Sequence, residues 1–145
     1  GEDVRVILLR ADGAGTDDVL AKEKLCPVVA IFPYGTFEEA VGHAKANLLV
    51  EGAGHSAALH SNDETHIRYM GVELPVSRLV VNQASALTAG GSLSNGFAPT
   101  TTLGCGSWGG NSISENLDYK HLMNVSRIGR PITNRRLPTD EEIWA

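Results

Sequence analysis

Short apolar runs of strand length, separated by stretches of helical spacing, constrain the fold of this chain more than any other feature of it. Val4 to Leu9 (VRVILL) is followed by the turn signal Asp12-Gly13-Ala14-Gly15 and is expected to be a buried strand. After the polar segment Asp17 to Lys24 comes PVVAIFPY, rich in β-formers and closed by Pro33 and Gly35. Thr36 then suits an N-cap, and Glu39 three residues later completes a capping box. Phe37, Ala40, Val41, Ala44 and Leu48 fall on one apolar stripe, so a helix is predicted to run to Glu51-Gly52. The alternation resumes with a strand from His55 to His60 and a cap at Ser61 or Asn62. A short helix through Ile67 and Met70, ended by Gly71 and Pro75, leads to a strand from Arg78 to Asn82. Strand, helix, strand, helix, strand with short connections predicts right-handed βαβ units and a parallel sheet.

From Gln83 to Asp118 the pattern dissolves into Gly, Ser, Thr and Asn. A loop of this length inside a compact domain is functional, or it packs against something outside the chain. Tyr119 to Ile128 (YKHLMNVSRI) regains strand character, and NRRLPTDEEIWA makes a polar tail.

Composition narrows the function classes. At 145 residues, 42% hydrophobic and 20% charged, the chain suits one soluble globular domain with one core. A formal net charge of -5 gives no electrostatic reason to approach nucleic acid or an anionic membrane. Arg127, Arg130, Arg135 and Arg136 form a basic cluster that reads as a solvated tail or as salt-bridge donors to a partner subunit. The longest apolar run, Pro27 to Phe32, is far short of the roughly 18 residues a membrane span requires. The first residues, GEDVRV, lack the basic region and apolar stretch of a signal peptide. Cys26 and Cys105 do not make a disulfide framework, which points to a reducing compartment, and in a cytosolic chain the sequon at Asn124-Val125-Ser126 carries no glycan.

The densest cluster of glycines lies in Thr100 to Ser112 (TTTLGCGSWGGNS), where Gly104, Gly106 and Gly109 spell G-x-G-x-x-G. That spacing cradles a pyrophosphate only between a strand and a helix. Here Pro99 and a threonine triplet precede it, residues without helical spacing follow it, and Asp118 is too near to serve as the ribose ligand. The spacing is therefore treated as coincidence, and the glycines as places where backbone turns or passes close to another surface. Ser107 lacks the upstream glycine of a nucleophile elbow, because Cys105 occupies that place. Cys105 reads as a buried inert thiol.

No metal signature is found among the histidines at 43, 55, 60, 66 and 121, so hydrogen-bonded or solvated roles are expected for them. Glu38 and Glu39 stand in the first helical turn, where they favour the helix dipole. Cys26, just before Pro27, remains open as a nucleophile.

Glu23-Lys24-Leu25-Cys26-Pro27-Val28, FEEAVGHAKAN, Gly52 and the strand ending at Asn82 together resemble the C-terminal half of the aldehyde dehydrogenase superfamily. LCPV in place of FGPV, GHSAALHSNDE, and TTLGCGSWGGNSISENLDYKHLMNV are similar to its CoA-acylating branch. The resemblance runs from Glu23 to Pro131. It implies an α/β fold with three layers, a mostly parallel sheet flanked by helices, and a C-terminal oligomerisation strand. It also implies an NAD- or NADP-linked oxidation of an aldehyde through a cysteine thioester that CoA releases. A thiolate suits that chemistry, being nucleophilic near neutral pH, and the nicotinamide accepts the hydride.

In the family the catalytic cysteine precedes the segment matched by Glu23, so neither Cys26 nor Cys105 takes its role and the isolated chain is expected to be inactive. By resemblance Glu23 hydrogen-bonds the nicotinamide ribose, Leu25 packs beside it, and Leu103 and Gly104 line the substrate tunnel. The strand His121 to Ile128 joins a neighbouring subunit. The expected division is a catalytic α/β part over 1–118, an oligomerisation strand over 119–131 and a tail over 132–145. The expected partners are a small aldehyde, CoA and further copies of the chain, and the expected location is the cytoplasm, including the interior of a bacterial microcompartment. A different reading is a structural or assembly module that associates through its terminal strand.

Overall fold

The computed structural model describes residue 3 and residues 5–145. Strand β1 (Ile7–Arg10) runs parallel to β2 (Val28–Ile31), with Ile7 opposite Val28 and Arg10 opposite Ile31. Helix α1 (Phe37–Glu51) follows, then β3 (Gly54–Leu59), α2 (Glu64–Glu73) and β4 (Val76–Val81). β3 and β4 are parallel, Gly54 opposite Val76 and Leu59 opposite Val81. The architecture is α/β with parallel strands and flanking helices, and the four strands form two separate pairs.

Local chemistry accounts for the helices. The Thr36 hydroxyl accepts from the Glu39 amide at 3.2 Å, while the Glu39 carboxylate reaches one residue further back than a capping box requires and accepts from the Gly35 amide at 2.6 Å. Helix α2 is capped by Asp63, whose carboxylate accepts from the amides of Thr65 and His66 at 2.8 and 3.4 Å. The cap expected at Ser61 or Asn62 is displaced because Ser61 is spent on the preceding turn, its hydroxyl accepting from the Asp63 amide. Gly71 does not end α2. A helix tolerates one interior glycine at a cost of about 1 kcal/mol, and the stop is set by Pro75, which pushes Leu74 to an extended φ of -84° and ψ of 129°.

Val41, Met70 and Leu74 form the buried centre, with Phe37, Ala44 and Leu48 of α1 and Ala57, Leu59, Val76 and Leu79 of the β3–β4 pair packed around them. The stripe expected on α1 is thus the face that meets the sheet. Strand β1 departs from expectation, because all four of its residues are exposed. Both α1 and α2 serve the other pair, which leaves β1 without a cover among the described residues. Val4, the expected first residue of that strand, lies outside the described residues.

The stretch after β4 is ordered by asparagines in place of regular structure. One turn of helix, α3 (Ser85–Thr88), follows Asn82, which adopts a left-handed φ of 54°. The Asn95 amide donates to the Thr88 carbonyl at 3.0 Å, and its oxygen accepts from the Phe97 amide at 3.1 Å. The strand expected over 119–128 is absent. Tyr119–Leu122 forms a 3-10 turn capped by Asp118, and 123–131 are exposed without a ladder, since no strand lies alongside them among the described residues. The tail carries one short helix, α4 (Asp140–Ile143), capped by Thr139. No helix among the described residues is long and apolar enough to cross a membrane.

Candidate functional site

Of the residues singled out by the sequence, Glu23 shares one cleft with His55, whereas Leu103 and Gly104 pair with Asn116 and Glu115. The segment leading into β2 carries Glu23, whose amide donates to the Glu51 carboxylate at the end of α1. Glu23, Glu51 and His55, the second residue of β3, line one cleft of about 530 Å³, floored by Leu48, Ala57 and Leu74. Its lining mixes these polar side chains with apolar ones and opens widely to the surface. Leu25 is 93% exposed, and Cys26 is exposed beside it.

The glycine-rich run seats on the start of β3. Gly54 has a left-handed φ of 100°, and a side chain there would collide with the Cys105 carbonyl, so backbone meets backbone at that point. On the opposing side a Cβ on Gly109 would lie 2.5 Å from the Cys105 Cβ and 3.1 Å from the Ala53 carbonyl oxygen. These are the close approaches that the glycines were expected to allow. Asn111 holds the turn, its side-chain oxygen accepting from the Cys105 amide at 2.9 Å. The run forms a short 3-10 turn at Ser107–Gly109 and opens no helix, which disposes of the pyrophosphate cradle.

Leu103 bridges antiparallel to Asn116, and the Gly104 amide donates to the Glu115 carbonyl at 3.0 Å. A side chain on Gly104 would strike the Ile113 carbonyl. Glu115 clasps the following turn, 2.9 Å from both Lys120 Nζ and His121 Nε2. The Lys120 hydrogen bond, then that of His121, lowers the Glu115 carboxyl below its usual range, and Glu115 in return raises Lys120.

Two residues without a role in the sequence reading tie these parts together. Arg78, expected only as the first residue of a strand, is 2% exposed, and Asn116 is 5% exposed. The Arg78 guanidinium donates to the His55 carbonyl at 2.9 Å and to Asn116 Oδ1 at 3.3 Å. Asn116 Nδ2 donates to the carbonyls of Ala89 and Ala98 at 3.0 and 2.8 Å. The signal in the sequence was the arginine itself, a charge heading the apolar run LVV, because a charge is kept inside only where hydrogen bonds hold it.

Neither cysteine is arranged as a nucleophile. Cys105 Sγ lies 3.8 Å from the Leu103 carbonyl, half-buried, and among the described residues no imidazole hydrogen-bonds either thiol. The histidines have other partners. His66 stacks on Phe37 with ring centroids 4.0 Å apart, and His43 faces Glu39 at 3.8 Å.

No family model matches the chain. Over 143 residues, 99% of the chain, it is 62% identical to a protein of Clostridium kluyveri named succinate-semialdehyde dehydrogenase (acetylating), of which it spans 31%. It is 39% identical over 143 residues to a sulfoacetaldehyde dehydrogenase of Acholeplasma, spanning 29% of it. Among solved structures, an acetylating aldehyde dehydrogenase from Geobacillus thermoglucosidasius superposes with a TM-score of 0.81 at 31% identity, covering 97% of this chain and 30% of that one. A probable aldehyde dehydrogenase from Listeria monocytogenes gives a TM-score of 0.82 at 36% identity, covering 99% and 30%.

Proposed function

We propose that the chain is a segment of an acylating aldehyde dehydrogenase, spanning about 30% of the length of the relatives it resembles in sequence and fold, and that it supplies one wall of the active site. The reaction is the NAD- or NADP-linked conversion of a small aldehyde and CoA to an acyl-CoA. Given the 62% identity to a succinate-semialdehyde enzyme, the anionic succinate semialdehyde is the aldehyde to assay first. The nucleophilic cysteine belongs to a part of the enzyme outside this chain, so 1–118 completes a catalytic domain and does not constitute one.

The observation that carries this reading is the placement of Glu23 and His55 on one cleft beside the seat of the glycine-rich run. Glu23 is an exposed carboxylate there, a pure acceptor when ionised, and fits the ribose hydroxyls of a nicotinamide nucleotide. When bound, that nucleotide supplies the hydride acceptor. Leu25, bare in this chain, packs beside the nucleotide. His55 offers a ring nitrogen to whatever lies in the cleft. Leu103 and Gly104, fixed against Asn116 and Glu115, line the passage for the acyl group, where glycine lets the chain run close.

The reading is tested in the full-length protein carrying this segment. Glu23→Gln is expected to raise KM for the nicotinamide nucleotide about tenfold, as loss of a charge-assisted hydrogen bond implies. An unchanged KM for both NAD and NADP removes Glu23 from the site. The chain alone, given aldehyde, CoA and nucleotide, is expected to form no acyl-CoA, and turnover by it overturns the assignment of the nucleophile elsewhere.

A second reading, an assembly role in the cytoplasm through 119–131 with 132–145 as a tail, is favoured by the exposure of Leu122, Val125 and Ile128 at 82, 63 and 87%. Apolar residues this bare on a segment without a ladder suit pairing with another copy. A clean monomer on gel filtration counts against it.

A further inference from the structure

The buried guanidinium of Arg78 is held by neutral acceptors alone, and among the described residues it makes no ion pair. Two of those acceptors belong to consecutive residues of β3. Nη2 donates to the His55 carbonyl at 2.9 Å, and Nε donates to Ser56 Oγ at 3.4 Å. Ser56 Oγ in turn lies 2.7 Å from His55 Nδ1. The direction of that last hydrogen bond decides the chemistry of His55.

A guanidinium only donates, so Ser56 Oγ must accept from Arg78. The serine hydroxyl then has one proton of its own to place. Donated to His55 Nδ1, it leaves every polar atom of the relay satisfied. The reverse arrangement, with Nδ1–H donating to Oγ, gives the serine oxygen two donors and turns its hydroxyl proton out of the relay to solvent, so only the arrangement with Nδ1 accepting closes the relay within the protein. A neutral imidazole that accepts at Nδ1 carries its proton on Nε2. Nε2 makes no hydrogen bond among the described residues, and His55 lines the cleft.

We propose that Arg78 is a positioning residue that, through Ser56, holds neutral His55 as the Nε2–H tautomer, making it a hydrogen-bond donor to the cleft. The same guanidinium grips Asn116, the bridge partner of Leu103, so one buried cation sets the imidazole and the glycine-rich wall relative to each other. Resting on the functional reading above, the inference deepens it. A fixed N–H donor suits the carbonyl oxygen of an aldehyde or thioester, where negative charge develops during attack and hydride loss. A fixed acceptor would suit proton removal from a thiol.

The test needs neither substrate nor nucleotide, so failure of the functional reading leaves it untouched. The 145-residue chain is labelled with nitrogen-15 at histidine, and long-range proton–nitrogen spectra are taken above the imidazole titration range. His60, exposed just beyond β3, is the internal reference. The parent is expected to show His55 Nδ1 unprotonated and Nε2 protonated. Ser56→Ala is expected to move the ratio of the two tautomers about fivefold toward Nδ1–H, as loss of one neutral hydrogen bond implies. Arg78→Lys is expected to move it in the same direction, His60 staying unchanged in both. A parent with Nδ1 protonated overturns the proposal, and so do His55 ring shifts in Ser56→Ala that match the parent's. Ser56→Ala leaves the β4 side chain intact, so the outcome does not depend on whether Arg78→Lys folds.

Discussion

The two parallel strand pairs share one topology and end in opposite environments. In β1 every residue is exposed, with Ile7 at 50% and Leu8 at 60%, whereas in β4 Arg78 and Val80 are 2% and 3% exposed. Ladders form in both, even where β3 (Gly54–Leu59) carries no β-branched residue. What covers the ladder is settled by other elements, and both long helices put their apolar faces on β3–β4. One consequence is that a charge sits inside the better-buried pair while leucines stand bare in the other. The chain spans about 30% of the length of its relatives, and among its described residues nothing covers β1.

The contrast breaks if truncation costs the same in both pairs. Leu74→Ala, at a site 3% exposed in the only cluster joining both helices to a sheet among the described residues, is expected to cost about 3 kcal/mol in urea denaturation. Leu8→Ala is expected to cost under about 0.5 kcal/mol, since an exposed side chain away from special features has little to lose. Similar losses for the two would mean that β1 is covered after all.

Two glycines sharpen it at the backbone level. Gly54→Ala sets a Cβ against the Cys105 carbonyl at a φ of 100° and is expected to destabilise by about 2 kcal/mol, combining backbone strain with overpacking. Gly42, inside α1 with nothing within 4 Å of the place a Cβ would take, behaves oppositely. Gly42→Ala is expected to stabilise by about 0.8 kcal/mol through helix propensity. Thermal melts of the two variants should shift in opposite directions. A stabilised Gly54→Ala would show that the glycine-rich run does not seat on β3.

The sequence disclosed the alternation of elements and the helix from Thr36 to Gly52 because those signals are local: a hydroxyl before an apolar stripe, and a glycine after it. The close approaches of Gly104 and Gly109 were legible as a class, since dense glycine means backbone meeting backbone, whereas Gly54 stands outside the run and carried no such signal. The partners were not legible: Gly104 meets Ile113 and Glu115, and Gly109 meets Ala53 and Cys105. The strand expected over 119–128 failed for the reason β1 lacks cover. Strand propensity expresses itself only against a partner, and Asp118 captures the start of that segment with a cap first. Glu23 sharing a cleft with His55, 32 positions on, and Arg78 bonding Asn116 across 38 are products of the folded topology and have no spacing to announce them.

The smallest expected effect concerns the wall beyond both sheets. Glu115 is clasped by Lys120 and His121, and its carboxyl is lowered chiefly by the Lys120 hydrogen bond. In acid the unfolded chain therefore binds a proton that the folded chain still refuses, and stability rises with pH across that window. The contribution is complete above the usual glutamate range, near about 4.3, and disappears as pH falls through the lowered value. Since the carboxylate is more than half exposed, solvent screens it and the effect is modest. Glu115→Gln should be less stable than the parent at neutral pH, with the gap closing as the solution is acidified through the lowered Glu115 value, below which both carry an uncharged side chain. If the gap instead stays constant, the clasp holds 115–121 through shape and neutral hydrogen bonds, and the wall that carries Leu103 and Gly104 does not depend on charge.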